Sequence, residues 1–146
     1  SVTTAATIAS NVNAYAITQN TVTNANNSNY DITFVDGTLT VNRRPVTVTA
    51  DDKTRVYGDA NPTLTFAVAA DGTGTSRGMY NSQSLSGAVT TTAGSSTNVG
   101  NVSITQGTVT NANNANYDIT YNNGTLAITA RPITLTADNR TKVYGD

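Results

Sequence analysis

Apolar and polar residues alternate along several short stretches of the chain. In each stretch Val, Ile, Leu or Phe occupies every second position, and Thr occupies most of the positions between them. The stretches are 46–49, 64–68, 102–105, 119–121, 126–128 and 133–136. Because successive side chains of a β-strand point to opposite faces, each stretch predicts a strand with one buried and one solvated face. Antiparallel sheets tolerate one wet face, so the pattern favours antiparallel pairing.

An internal repeat sets the organisation of the chain. Residues 11–59 align without a gap on residues 98–146, an offset of 87 residues, and 31 of the 49 aligned positions are identical. Solenoid repeats have about 20–45 residues, so this longer period predicts tandem small domains, each with its own core. If a unit begins at the Arg-Pro dipeptide, residues 44–130 form one complete repeat. Residues 1–43 are then the C-terminal part of a preceding repeat, and 131–146 are the N-terminal start of the next.

A tight hairpin is predicted around Asn123-Gly124, with 117–121 and 125–129 as its two strands. Asn-Gly tolerates the positive φ angles that two-residue hairpin turns require. The matching place one repeat earlier holds Asp-Gly, which has the same tolerance.

These elements predict an all-β fold of tandem small antiparallel β-sandwich modules, Ig-like in character, in an elongated array. A β-grasp-like module is the alternative if residues 70–84 form a helix. Pro132 follows the last predicted strand of the complete repeat almost at once. Because proline restricts its own backbone and that of the preceding residue, we expect successive repeats to be joined stiffly, end to end.

Composition removes most catalytic chemistry. His, Cys, Trp and Glu are absent, whereas 29 residues are Thr and 19 are Asn. The chain has neither a thiolate nucleophile nor a histidine base, and we expect no enzymatic activity and no resident cofactor. The 8 Lys and Arg residues are scattered among 9 acidic ones, which argues against nucleic-acid binding. No apolar run reaches the roughly 18 residues of a membrane-spanning helix.

The motif Thr-Ala-Asp-x-x-Thr-x-Val-Tyr-Gly-Asp occurs at 49–59 and again at 136–146. One interpretation is a metal site, because Ca²⁺ binds clustered carboxylate and carbonyl oxygens. Asp51 and Asp59 are weak candidates for such a calcium site.

We favour a structural interpretation of the same motif. In it Tyr57 plugs the edge of the core, Gly58 takes a positive φ, and Asp51 or Asp59 caps backbone N–H groups. The residues for which we expect structural roles are Tyr57, Gly58, Asp59, Tyr117, Asp118, Asn123, Gly124 and Pro132.

Asn-rich runs at 24–30 and 111–117 also admit two interpretations. Amides and Tyr rings can contact glycans. We favour polar turns held by local side-chain to backbone hydrogen bonds, because Asn competes well for backbone groups in turns.

Several segments resemble a known family: Asn116-Tyr-Asp-Ile-Thr, Gly124-Thr-Leu-Ala-Ile, Arg131-Pro-Ile-Thr-Leu-Thr-Ala and Val56-Tyr-Gly-Asp-Ala-Asn-Pro-Thr-Leu-Thr. On these segments the chain resembles the MBG/YDG-type repeats, mostly-β, glycine-containing modules found in tandem in large bacterial exported adhesins similar to filamentous haemagglutinin. The resemblance covers essentially the full length. It implies an extracellular location, at the bacterial cell surface or secreted, and a role in attachment or biofilm cohesion. It implies no active site.

Three functions are compatible with these features of the sequence. The leading hypothesis is a structural stalk, in which neighbouring repeats project a distal binding region. The second is that the repeats themselves bind glycan or extracellular-matrix polysaccharide. The third is self-association, because 131–146 carry the first strand of an unfinished unit and 1–43 lack the front of theirs. Strand addition between chains would then produce fibres.

Overall fold

The computed structural model describes residues 1–145, which form three small β-sheets. The all-β class is confirmed, and the only helical element among these residues is a single 3-10 turn at Asn24–Asn26. Residue 146, the last of the predicted next repeat, lies outside the described residues. The strands are β1 (Val2–Thr4), β2 (Asn13–Gln19), β3 (Gly37–Val41), β4 (Arg44–Ala50), β5 (Lys53–Val56), β6 (Phe66–Val68), β7 (Thr90–Thr91), β8 (Gly100–Thr105), β9 (Tyr117–Asn122) and β10 (Gly124–Thr129).

The complete repeat contains two sheets around one core. One sheet has the strand order β6-β4-β9, and the other has the order β5-β10-β8-β7. Their apolar faces share one cluster, in which Val48, Ile104 and Leu126 are fully buried. The predicted alternation places these side chains correctly, and the arrangement is sandwich-like as expected.

The strand pairing differs from the purely antiparallel prediction. β4 pairs with β9 and β5 pairs with β10, and both pairs are parallel. Only residues 51–52 separate β4 from β5, and only Asn123 separates β9 from β10. Each of these two segments therefore passes from one sheet into the other, and the two segments lie side by side.

The hairpin predicted at Asn123-Gly124 is consequently wrong. β9 and β10 belong to different sheets, and one intervening residue is too short for even a two-residue hairpin loop. Gly124 is needed for another reason: a Cβ there would lie 2.7 Å from the backbone oxygen of Ala50. The glycine permits close approach of the two crossing segments. It does not form the predicted hairpin turn.

Residues 70–84 form turns and irregular structure, so the helix that a β-grasp-like module requires does not occur there. Ser76, which is 2% exposed, holds this segment in place. Its hydroxyl donates to the backbone oxygen of Ala69 (2.9 Å) and accepts from the N–H of Thr47 (3.3 Å) and of Gly78 (3.2 Å). These bonds fix the loop against the edge of β4.

Residues 1–43 form an incomplete copy of the same unit, called the half-repeat below. Its sheet, β1-β2-β3, matches β7-β8-β10 one repeat later. The segment 30–35, which matches β9, forms no strand, because within this chain it has no β4 beside it. Leu39 is 40% exposed where its counterpart Leu126 is fully buried.

Residues 131–145 are exposed along their length and form no strand. The strand predicted at 133–136 is therefore absent, although its alternation equals that of 46–49. Ile133 and Leu135 are 88% and 96% exposed, whereas their counterparts Val46 and Val48 are buried. Alternation produces a strand only where partner strands are present to pair with it.

Candidate functional site: the joint between repeats

The Asn-rich loops build the same hydrogen-bond scheme in both copies. The amide of Asn111 accepts from the backbone N–H of Ile119 (2.8 Å) and donates to the carboxylate of Asp118 (3.1 Å). Asn24 makes both equivalent bonds in the half-repeat. These amides are engaged by the loop itself, in agreement with the favoured polar-turn interpretation.

One asparagine of the second loop is buried and joins two segments of the complete repeat. Asn114 is 8% exposed. Its amide accepts from the N–H of Ser86 (2.7 Å) and donates to the backbone oxygens of Ser86 (3.0 Å) and Thr110 (2.9 Å). The amide therefore completes a backbone-like pairing between the loop and residues 85–88.

A neighbouring asparagine connects the complete repeat to the half-repeat. The side chain of Asn116 accepts from the backbone N–H of Val12 (3.0 Å) and donates to the side-chain oxygen of Asn11 (2.8 Å). Its backbone oxygen accepts from the N–H of Arg44 (2.9 Å). Only residues 42–43 separate β3 from β4, so a very short connection and this asparagine together define the joint.

Arg44 links the joint to the irregular segment of the complete repeat. Its Nε donates to the backbone oxygen of Gly78 (2.8 Å), and its guanidinium also donates to the backbone oxygen of Arg77. Arg77 in turn donates its N–H to the backbone oxygen of Pro45 (2.8 Å). The first residues of β4 and the 71–78 loop are thereby held as one unit next to the half-repeat.

A groove of about 390 Å³ lies at the joint and is called the joint groove. On its complete-repeat side the hydroxyl of Tyr117 donates to the side-chain oxygen of Gln83 (2.6 Å) and accepts from the N–H of Tyr80 (3.3 Å). Asn81 and Ser82 have φ angles of +48° and +57°, a region that non-glycine residues rarely occupy. The lining residues are Ile8, Ala9, Ser10, Asn11, Val12, Val41, Asn42, Arg44, Tyr80, Asn81, Gln83, Asn116 and Tyr117.

The two weak calcium candidates engage different partners. The carboxylate of Asp51 accepts from the hydroxyl of Thr65 and lies 3.9 Å from the Lys53 ammonium. The carboxylate of Asp59 binds the guanidinium of Arg131. Across residues 1–145, no three Asp, Glu, His or Cys side chains are grouped as metal ligands would be.

Some of the structural roles expected for the motif at 49–59 belong to residues other than those predicted. Gly58 has a φ of +88°, in the left-handed region. Tyr57 is 39% exposed, so it does not plug the core edge; its N–H instead donates to the backbone oxygen of Thr129 (2.8 Å). The carboxylate that caps a backbone N–H belongs to Asp52, which accepts from Thr125 (2.7 Å).

Arg55 occupies the buried position of the motif, and the sequence gives little sign of it. The side chain is 6% exposed, and it donates to the side-chain oxygen of Asn61 (2.8 Å) and to the backbone oxygen of Gly94 (2.5 Å). An arginine within a polar, exposed-looking motif resembles a surface residue. Its burial depends on the nearby Asn61 and on the loop at Gly94, which lies 39 residues later in the chain.

Asn114 and Asn116 were also missed as individual residues. Both recur at the same positions of the half-repeat, as Asn27 and Asn29, but Asn111 and Asn113 recur as well, so recurrence does not single them out. Pro132 lies in the exposed segment beyond β10, so its role in a joint stays a prediction.

The comparison with protein families decides what kind of unit this is. The family model described as the MBG domain (YGX type) matches residues 1–40 and 46–127. The chain belongs to the MBG domain family. The MBG domain is an adhesin-type repeat that is generally non-catalytic and occurs in extracellular proteins. No significant match was found among curated proteins or among solved structures. Among residues 1–145, no helix has the length and apolar character needed to cross a bilayer.

Proposed function

We propose that these MBG repeats form a non-catalytic stalk of a bacterial cell-surface or secreted adhesin. The stalk projects a distal binding region and so supports adhesion or biofilm formation. The observation that carries the proposal is the joint, where Asn116 bonds both Asn11 and Val12 across a connection of two residues. Short, hydrogen-bonded joints keep serial domains in line, whereas free linkers let them swing.

The course of the strands supports the same proposal. β4 and β9 begin at the joint, and β5 and β10 continue them away from it, because the two strands of each consecutive pair lie in different sheets and do not fold back on each other as a hairpin. The chain therefore enters the repeat at one end and leaves it at the opposite end. Residues 44–56 at about 3.3 Å per residue span roughly 40 Å, which is the expected advance per repeat.

The stalk is tested by measuring arrays of increasing length. Chains that carry two, three and four copies of residues 44–130 are compared by small-angle X-ray scattering. We expect the maximum dimension to grow by a constant increment of roughly 40 Å per repeat. A dimension that grows irregularly, or with the square root of the number of repeats, would show freely moving units and contradict the proposal.

The role of the joint is tested with a matched pair of asparagine variants. Thr3→Cys and Thr120→Cys place one spin label in each unit, and the natural chain contains no cysteine that would interfere. Asn116→Ala removes the two side-chain bonds across the joint, so the interlabel distance distribution should broaden. Asn113→Ala is the control, because its bond to the backbone oxygen of Thr108 stays within one loop. Equal distributions in both variants would show that Asn116 does not stiffen the joint.

The joint groove favours a second candidate function, glycan binding. The amides of Asn24 and Asn111 are engaged within their own loops, whereas Tyr80, Asn81 and Gln83 line the groove. Aromatic rings beside amides suit the alternating apolar and hydroxylated faces of a sugar. A glycan array probed with the intact chain, followed by titration of any ligand found, tests this function. Gln83→Ala should abolish such binding, and an array without ligands would refute it.

A further inference from the structure

We propose that a pocket beside the joint binds the carboxylate groups of an acidic polysaccharide. The pocket has a volume of about 290 Å³ and is called the arginine pocket below. It is lined by Asn42, Arg43, Arg44, Pro45 and Arg77, and among residues 1–145 no carboxylate lines it. The stalk needs no ligand, so this binding site goes beyond it, and the two can fail independently.

Folding brings together arginines that the sequence separates. Arg43 ends the connection between β3 and β4, Arg44 begins β4, and Arg77 lies 33 residues after Arg44. The N–H of Arg77 donates to the backbone oxygen of Pro45 (2.8 Å), and the guanidinium of Arg44 donates to the backbone oxygen of Arg77. These two bonds hold Arg77 against the start of β4. Because like charges repel, gathering three cations has a cost that a bound anion would remove.

Two of the three guanidinium groups are available to a ligand. Arg44 is engaged with the backbone oxygens of Gly78 (2.8 Å) and Arg77, so it positions the wall of the pocket. Arg43 is exposed. The guanidinium of Arg77 lies 3.9 Å from the carboxylate of Asp71, and the two side chains are 63% and 65% exposed. An ion pair this exposed is weak, so Arg77 can exchange it for a ligand carboxylate.

The size and charge of the pocket favour a carboxylated sugar. A guanidinium group forms paired hydrogen bonds with a carboxylate, and Arg43 and Arg77 each supply one such group. A volume of about 290 Å³ is at the lower end of ligand pockets and suits one sugar residue of a polymer. A nucleic-acid duplex is disfavoured, because its binding relies on many phosphate contacts and this chain has a net charge of −1.

The arginine pocket lies apart from the contact that completes a repeat. The guanidinium groups of Arg44 and Arg77 have their partners between positions 71 and 78. In the complete repeat the N–H of Gly58 donates to the backbone oxygen of Ser95, whose counterpart in the half-repeat is Ile8. Ile8 lines the joint groove and does not line the arginine pocket. A loop equivalent to that of Gly58 therefore meets the joint groove, and the arginine pocket stays open.

Position 43 distinguishes this joint from the next one. The counterpart of Arg43 is Ala130, whereas the Arg-Pro dipeptide that follows is the same in both copies. Joints with Arg-Arg-Pro should therefore bind acidic polysaccharide more strongly than joints with Ala-Arg-Pro. Arg43→Ala gives this joint the sequence of the other copy, so it removes the cation without introducing a residue foreign to the position.

Calorimetric titration of the intact chain with polygalacturonate at low salt measures the binding. Arg43→Ala and Arg77→Ala should each raise the dissociation constant about 3- to 10-fold, and the double variant about 10- to 100-fold. Added salt should weaken binding, because the cations are exposed. Arg140→Ala is the control, since it removes the same charge from an exposed side chain that does not line the pocket. Absence of binding, or an equal loss in Arg140→Ala, would overturn the proposal.

Three further ligands define the chemistry that the pocket recognises. Neutral dextran should not bind, and an affinity equal to that of polygalacturonate would show that charge is not recognised. Dextran sulfate carries sulfate in place of carboxylate, and tighter binding of it through Arg43 and Arg77 would contradict the assignment to carboxylated sugars. A single-stranded oligonucleotide that competes equally with polygalacturonate would indicate a general anion site and refute the polysaccharide assignment.

NMR locates the ligand without a substitution in the pocket. The Nε–H resonances of Arg43 and Arg77 should shift on titration with polygalacturonate fragments. The Nε–H of Arg131, which donates to a backbone oxygen elsewhere in the repeat (2.8 Å), should not shift. Shifts confined to Tyr80 and Asn81, which line the joint groove, would place the ligand there and overturn the arginine pocket.

Discussion

Replacing Asn114 by alanine tests whether a buried amide holds the complete repeat together. The amide bonds the N–H and the backbone oxygen of Ser86 and the backbone oxygen of Thr110. Asn114→Ala removes all three bonds and leaves a gap beside the loop. Asn27→Ala is the matched control, because this residue occupies the same position of the half-repeat and makes one such bond, to the backbone oxygen of Thr23 (3.0 Å).

The expected loss follows from the number of bonds and the access of water. A hydrogen bond contributes about 0.5–1.5 kcal/mol net, so three bonds correspond to roughly 1.5–4.5 kcal/mol. Ser86 is exposed, so water can bind its backbone groups after the substitution and offset part of the loss. We therefore expect Asn114→Ala to lower the free energy of unfolding by about 2 kcal/mol and Asn27→Ala by about 0.5–1 kcal/mol.

Urea unfolding followed by circular dichroism measures these losses, with the midpoint compared at constant slope. Hydrogen exchange of the Ser86 amide provides a local measurement, and its protection should fall in Asn114→Ala alone. Asn114→Asp keeps the acceptor for Ser86 but places a carboxylate against two carbonyl oxygens, so it should destabilise at least as much as alanine. Equal losses for Asn114→Ala and Asn27→Ala, with Ser86 still protected, would refute the reasoning.

Three further predictions follow from the packing. Leu126→Ala should cost about 3 kcal/mol in urea unfolding, because the side chain is fully buried, and Leu39→Ala should cost about 1 kcal/mol at most, because it is 40% exposed. Gly107→Ala should destabilise by at least about 1 kcal/mol, since φ is +55° and the new Cβ would lie 2.2 Å from the backbone oxygen of Ala88. Burial raises the pKa of the Tyr121 hydroxyl, so its contribution is complete below about pH 10 and is lost as pH rises further, and Tyr121→Phe should reduce that alkaline loss.

Each of these expectations has a clear contrary result. Similar losses for the two leucines would mean that the half-repeat buries its core without a second strand layer. A neutral or stabilising alanine at 107 would show that the backbone can relax there. An alkaline unfolding profile that is the same with tyrosine or phenylalanine at 121 would assign the pH dependence to other groups.

The sequence pattern predicts structure correctly where the cause is local. The alternation placed Val46, Val48 and Leu126 on the buried face, because facing depends only on the period of the strand. The same pattern did not predict which strands pair with each other. The Asn123-Gly124 dipeptide suits a hairpin turn locally, yet β9 pairs with β4, and β10 pairs with β5 and β8 rather than with β9. Turn preference cannot outweigh partners that only the folded chain brings together.

The candidate site shows the same division. Local bonds of the Asn-rich loops were foreseeable, because short polar side chains compete for nearby backbone groups. The burial of Arg55 and the contact of Asn116 with Val12 were not, since each depends on segments about 40 or 100 residues away.

The amino-acid sequence by itself determined the all-β class, the period of the repeat and the side of each strand that faces the core. These properties follow from the types of residues and their spacing, which do not depend on how the chain folds. Only the tertiary structure decided the direction of pairing, the joint, and which copies of a pattern become strands. Residues 46–49 and 133–136 have the same alternation, but only the first has strands beside it. A strand needs hydrogen-bonding partners, and those are supplied by the rest of the molecule.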